Sequence, residues 1–327
     1  MKALQITKYG EIKSSLSFND IDKPKAGPTD ILVEVKAAAL NPIDYKLIEG
    51  HLKEIITLEF PCTIGYDVSG IIKEVGEKVE RFKIGDEIYA RVPQEQMGTV
   101  AEYVVVTTEV VSKKPENITF EESAGLPLTG LTAIQALESV GIKQNDRVLI
   151  HAGSGGVGSF AVQYAKAKGA YVFTTASTDN VDMVKSFGAD RVIDYKKEDY
   201  KKIATDLDIV LDTLGDDYTF EAFALITKGG KVSTLVGPPD EETAKQMGMK
   251  GYKLPERLEK LIKEKSAVYK LTWMNPNGKQ LEAIKSMVEN GDIKPEVDNV
   301  YPLEKAIEAY EYIATGHAKG KVIVKIS

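Results

Sequence analysis

The sequence predicts an α/β fold, with a doubly wound parallel sheet inserted into a mostly β domain. Three observations predict it. Up to about residue 122, short β-type runs are separated by turn residues. From about residue 123, strands alternate with helices long enough to cross over a parallel sheet. A glycine-rich turn, Gly153-Ser154-Gly155-Gly156-Val157-Gly158, falls between a strand and a helix. At 327 residues the chain exceeds one typical core. The domains expected are a mostly β catalytic domain at 1–122, a nucleotide-binding domain at 123–270 and a return to the first domain at 271–327.

In the first domain, the N-terminal residues alternate as a strand. Further strands are predicted at 31–35, 68–75, 87–90 and 103–106, divided by turns at 25–28 and 83–86. In the second, strand 147–151 precedes the glycine turn. A helix at 157–168 follows, with Val157, Ala161, Tyr164 and Ala165 on one face. Strand 171–174, helix 181–187 and strands 191–194, 209–212 and 231–236 continue the alternation. Right-handed crossovers then wrap the sheet on both faces. A polar helix at 256–265 and a strand at 268–271 follow. Helices at 278–290 and 303–315 and a last strand at 321–324 form the return. This connectivity predicts a cleft between the two domains.

Composition excludes several classes of function. Net charge is −7 and no basic stripe is present, so nucleic acid is not expected as a partner. No segment is apolar over the length a bilayer requires. The N-terminus lacks the apolar core of a signal peptide, which makes the cytoplasm the expected location. A single cysteine, Cys62, allows neither an internal disulfide nor a cysteine-rich zinc site.

The glycine turn carries the chemistry. Gly153 permits a tight turn, Gly155 lets the backbone approach a pyrophosphate, and Gly158 lets the helix pack close to the strand. Free N–H groups at the helix start then face the phosphates. Asp212-Thr213-Leu214-Gly215 ends a strand at the edge where such sheets bind ligands, and Gly229-Gly230 opens the next strand. NAD sites place an acidic residue at the end of the second strand. Here that end reads Thr174-Thr175-Ala176-Ser177, whose small hydroxyls could donate to a 2′-phosphate, with Asp179 just beyond. NADP(H) is therefore expected rather than NAD(H). Ser177 and Thr178 also suit capping of the next helix.

Five segments together resemble the medium-chain dehydrogenase/reductase superfamily, within it the zinc-independent quinone oxidoreductases and the plant-type alkenal and enone oxidoreductases. They are Asn41-Pro42-Ile43-Asp44-Tyr45-Lys46, Gly65-Tyr66-Asp67-Val68-Ser69-Gly70, residues 125–133, the glycine turn, and His317-Ala318-Lys319-Gly320-Lys321. The resemblance spans essentially the whole chain. It implies a GroES-like β domain, a Rossmann domain and a homodimer. Zinc enzymes of the superfamily carry ligands where this chain has Asn41, Tyr66 and Leu128, and a four-cysteine lobe that is missing between residues 85 and 101. No zinc is therefore expected, with His51, Cys62 and Asp67 as the one alternative metal set.

Without zinc, direct carbonyl reduction loses its electrophile. A quinone or conjugated carbonyl is the easier acceptor, because charge arriving at carbon delocalises onto oxygen. The resemblance implies Asn41, Tyr45 and Tyr66 as catalytic candidates. For the cofactor it implies Asn41, Thr129, Ser154, Gly155, Gly156, Val157, Ser177, Tyr195, Leu214, Val236, Leu271 and Trp273. The group's usual pocket lysine is absent, since Asp179 and Asn180 stand nearby. Tyr45 and Tyr66 read equally well as packing residues. Asp44, His151 and His317 read as structural, and the run 196–199 reads as a solvated surface. The expected function is NADPH-dependent reduction of quinones or α,β-unsaturated carbonyls. The rivals are a metal-dependent alcohol dehydrogenase and an NADPH-binding structural or regulatory protein.

Overall fold

A computed structural model describes residues 1–327. The chain divides into two compact units: Met1–Leu131 with Asn275–Gly291 and Pro295–Ser327, and Thr132–Met274 with Asp292–Lys294.

In the first unit, the strand Asp30–Leu40 anchors a seven-stranded sheet. It pairs antiparallel with Asp67–Val75, Tyr103–Thr107 and the last strand, Lys321–Lys325. Its first half alternates buried Val33 and Val35 with the half-buried Glu34 and Lys36. Its second half, Ala37-Ala38-Ala39-Leu40, is buried throughout. Alanines carry little β propensity, so the sequence pattern underestimates this strand's length. A smaller sheet joins Lys2–Ile6 to Leu16–Asp20 and Cys62–Thr63. Leu4, Ile6, Ile48, Leu303, Tyr310 and Val324 belong to one buried cluster.

The first unit extends past residue 122, where the rhythm of the sequence changes. The helix Phe120–Ala124 starts in a capping box between Thr119 and Glu122. It packs on the strands Asp30–Leu40 and Asp67–Val75, and Ser69 Oγ donates to its Phe120 carbonyl at 2.6 Å. The change of rhythm marks a change of element type, not of the sheet it covers. Likewise the predicted helix at 303–315 begins as a 3₁₀ turn, Leu303–Lys305, before Ala306–Ala314. Strand Val297–Pro302 was not legible in the sequence, because its residues are half-buried or exposed and show no apolar alternation.

The second unit is a six-stranded parallel sheet. Its spatial order is Arg191–Asp194, Tyr171–Ala176, Arg147–Ile150, Leu207–Asp212, Ile226–Thr234, Val268–Leu271. Numbered along the chain this is 3-2-1-4-5-6, the Rossmann order. The switch point lies between Arg147–Ile150 and Leu207–Asp212. Leu149, Phe173, Ile193, Val210 and Val232 form the core with Phe223 and Tyr269. The fifth strand corrects the sequence reading. It begins at Ile226, so Gly229 and Gly230 lie inside it, beside a register irregularity opposite Leu207 and Ile209. Gly229 sits at φ +81°, which only glycine adopts without strain. No helix in either unit is long and apolar enough to cross a membrane.

Candidate active site

The glycine turn lies at the carboxyl end of the first parallel strand. Ala152 occupies the left-handed region at φ +50°, a conformation that costs a residue with a Cβ about 1 kcal/mol or more. Thr175 on the neighbouring strand holds it there. Its hydroxyl accepts from Ala152 N–H at 3.0 Å and its carbonyl from Gly153 N–H at 2.9 Å. The helix Gly156–Ala167 then begins with Gly155 as its N-cap. The first N–H groups of a helix have no intrahelical acceptor, so those of Gly156, Val157 and Gly158 are left for a ligand.

Each glycine of the turn has its own reason. A Cβ at Gly153 would stand 2.3 Å from Thr174 Oγ1, and one at Gly158 would stand 2.1 Å from the Ala152 carbonyl oxygen. Both are required by packing. A Cβ at Gly155 would meet nothing closer than 3.4 Å. It would touch only the Ala152 carbonyl oxygen, at ordinary contact distance, and leaves room for a pyrophosphate at the helix start. The residues present therefore fit a dinucleotide.

The other residues expected around it stand at strand ends of the same sheet edge. Ser177 and Tyr195 follow the paired residues Ala176 and Asp194 directly. Ser177 is half-buried and Tyr195 exposed. The hydroxyls expected near a 2′-phosphate are reduced to that of Ser177. Thr174 donates to the Ile150 carbonyl at 2.7 Å, Thr175 clamps the turn, and Thr178 donates to Asp194 Oδ2 at 2.7 Å. Leu214 and Val236 are exposed apolar residues just beyond the fourth and fifth strands. Leu271 is buried at the end of the sixth strand and Trp273 is half-buried after it.

In the first unit, the expected residues fall in a buried polar cluster. Asn41 caps the helix Pro42–Ile48, and its N–H donates to Asp44 Oδ2 at 2.9 Å. Its amide nitrogen donates to the Ala39 carbonyl at 3.2 Å and to Asp67 Oδ2 at 3.0 Å. Lys321 Nζ donates to Asn41 Oδ1 and to the Leu40 carbonyl, and lies 3.6 Å from Asp67 Oδ2. Asp67 Oδ1 accepts from Leu128 N–H at 2.9 Å. Asp44 Oδ1 and the Tyr310 hydroxyl are both buried without another partner. Burial raises the carboxyls of Asp44 and Asp67 and lowers the Lys321 ammonium; attraction between Lys321 and the two carboxylates opposes these shifts, while the Asp67 charge adds to the rise at Asp44.

This geometry shows where the expected catalytic residues stand. Asn41 is fully buried, and its amide nitrogen donates within the protein to Ala39 and Asp67. The Tyr66 hydroxyl donates to Gln94 Oε1, its ring lies 4.3 Å under the Arg91 guanidinium, and burial pushes its hydroxyl far above the usual range. Thr129 donates back to the Gly125 carbonyl at 2.8 Å and keeps its lone pairs. Tyr45 is half-buried, and burial raises its hydroxyl. Lys321, Arg91 and Tyr310 escaped the sequence reading as members of this cluster. A lysine opening the apolar run Lys321-Val322-Ile323-Val324 was the available signal.

His51, Cys62 and Asp67 do not gather, and no three His, Cys, Asp or Glu side chains converge on a metal position. Burial also pushes the Cys62 thiol up to about 11. Cys62 in the native protein is expected to react with a disulfide reagent at pH 8 about a hundredfold more slowly than in the urea-unfolded chain. Comparable rates, followed by thiol absorbance, would contradict its placement.

Residues 27–116 match the family described as the alcohol dehydrogenase GroES-like domain, and residues 187–324 that described as zinc-binding dehydrogenase. The chain is 32% identical to the 2-methylene-furan-3-one reductase of Solanum lycopersicum, over 99% of this chain and 79% of that protein. It is 34% identical to the chloroplastic NADPH-dependent alkenal/one oxidoreductase of Arabidopsis thaliana, with the same coverage. The solved structure of the quinone oxidoreductase from Coxiella burnetii superposes with a TM-score of 0.88 at 32% identity, covering 100% of this chain and 99% of that one. With the Rossmann sheet and its glycine turn in the second unit and a GroES-like sheet in the first, the chain belongs to the medium-chain dehydrogenase/reductase superfamily, as an oxidoreductase of its quinone and alkenal oxidoreductase group.

Proposed function

We propose that the protein is an NADPH-dependent reductase of quinones or α,β-unsaturated carbonyls that acts without zinc. The observation that carries this reading is the uncrowded Gly155, whose Cβ would meet nothing closer than 3.4 Å, at the start of a helix on the switch point of a parallel sheet. When bound, the dinucleotide supplies a hydride from nicotinamide C4. The N–H groups of Gly156, Val157 and Gly158 bind its pyrophosphate, with Ser154 and Gly155 at the rim. Ser177 and Tyr195 take the adenosine side, Leu214 and Val236 flank the ribose, and Leu271 and Trp273 border the nicotinamide. Thr129 offers acceptor lone pairs. The absence of a carboxylate at Ala176 and Ser177 favours NADP(H) over NAD(H).

The donor set around Asn41 supports zinc-independent chemistry. The positions that would ligate zinc carry an engaged amide, an engaged tyrosine and a leucine. A conjugated acceptor suits such a site, because its oxygen takes up charge with hydrogen-bond donors alone. Tyr45 is the remaining candidate to donate to that oxygen. Asn41 and Tyr66 support the site without touching the reacting atoms. We also read the protein as a homodimer, as the resemblance to the quinone oxidoreductase group implies.

A panel of quinones and enones, followed by NADPH absorbance with NADH in parallel, tests the proposal. Oxidation of NADPH by at least one acceptor, at least about tenfold more efficiently than NADH and unaffected by chelators, is expected. Light scattering on the same sample should give the mass of two chains. Dinucleotide binding without turnover on any acceptor, or stoichiometric zinc in the active protein, would overturn it.

A further inference from the structure

We infer that Asp212 is a positioning residue for the dinucleotide, tying together the three loops at the carboxyl edge of the parallel sheet. The inference rests on the dinucleotide reading above and concerns the same site. Asp212 ends the fourth strand and is fully buried. Its Oδ1 accepts from Leu214 N–H at 2.9 Å and Gly215 N–H at 3.0 Å, and faces His151 Nδ1 at 3.4 Å. Its Oδ2 accepts from the Thr219 hydroxyl at 2.5 Å and the Thr234 hydroxyl at 2.9 Å.

The network continues through its partners. Thr234 Oγ1 accepts in turn from Gly237 N–H at 2.9 Å and Val236 N–H at 3.3 Å. The His151 carbonyl accepts from the Thr213 hydroxyl at 3.1 Å. One carboxylate thereby reaches the loop after the first strand at His151, its own loop at Leu214 and Gly215, and the loop after the fifth strand at Val236 and Gly237. These loops carry the glycine turn and the exposed Leu214 and Val236.

The donor inventory explains why the position is an aspartate. Two backbone N–H groups and two hydroxyls all point at it, and no lysine or arginine pairs with it. An ionised carboxylate accepts from all of them, whereas an asparagine offers one accepting oxygen and a donor. Burial would raise this carboxyl. The hydrogen bonds from His151, Thr219, Gly215 and Leu214 outweigh burial and hold it well below the ordinary range. In Asp212→Asn, the amide hydrogens would turn to the threonines, whose hydroxyls can reverse and accept. Thr234 then has to accept from three donors, and the loop at 235–237 loosens first.

Two routes to the same loss are available. Asp212→Asn alters the hub, and Thr234→Val removes the relay while leaving the hub in place. For both, the Kd and KM for NADPH are expected to rise about tenfold. The kcat at saturating NADPH and the KM of the quinone should stay within about twofold. Thr234→Ser keeps the relay hydroxyl and should restore wild-type affinity. If Asp212→Asn does not fold, the pair Thr234→Val and Thr234→Ser decides alone. Folded variants with wild-type NADPH affinity, or a fall in kcat at unchanged affinity, would overturn the inference. If the wild-type protein itself fails to bind NADPH, the underlying reading falls first, and the variants are not needed to see it.

Discussion

Gly155→Val is expected to abolish dinucleotide binding while leaving the fold intact. Gly155 has φ −81° and ψ 169°, a conformation open to any residue, and its Cβ would meet nothing closer than 3.4 Å. Its Cβ meets the Ala152 carbonyl oxygen only at ordinary contact distance, and the poorer N-cap costs about 1 kcal/mol. A pyrophosphate seated on the helix N-terminus would meet the new side chain directly, and a loss of at least about 100-fold in NADPH affinity follows. Gly158→Ala is the control with the opposite signature. Its Cβ would stand 2.1 Å from a backbone oxygen, so it should lower stability by about 1–3 kcal/mol. Calorimetric titration and thermal melts on both variants separate ligand clearance from packing. Normal NADPH affinity in a folded Gly155→Val would contradict the cofactor site.

Lys321→Met should produce the largest change in stability. Lys321 is buried against Asp67, with Asp44 nearby, and satisfies Asn41 and the Leu40 carbonyl. Methionine fills the space but leaves the buried Asp67 carboxylate without its nearest cation, with only the Arg91 charge remaining. Breaking a buried pair in this way costs about 3–5 kcal/mol, or roughly 10 °C in melting temperature for a unit of this size. Adding Asp67→Asn should recover part of the loss, because the uncompensated charge goes with it. Urea midpoints of the single and double variants measure this coupling. A Lys321→Met protein as stable as the wild type would show that the pair contributes no net stability.

Both predictions turn on differences the residue types do not express. The glycine spacing marked Gly153, Gly155 and Gly158 as one motif. The neighbours of each glycine then separated two packing roles from one ligand role. Thr174 and Thr175 read as phosphate donors in the sequence, yet their hydroxyls serve the turn itself. Asn41, expected as a ligand contact, forms a buried junction between Ala39, Asp67 and Lys321.

The sequence by itself determined the two-domain α/β architecture, the strand–turn–helix setting of the glycines, and the absence of the usual zinc ligands at residues 41, 66 and 128. These are local properties, written in the twofold and 3.6-residue periodicities and in glycine's freedom from a Cβ. Tertiary structure alone decided which polar groups face one another. Asn41 and Lys321 are 280 residues apart in the chain, and Thr234 meets Asp212 across neighbouring strands. A buried donor or acceptor must find a partner somewhere, but its side chain carries no record of which distant residue the fold will bring to it.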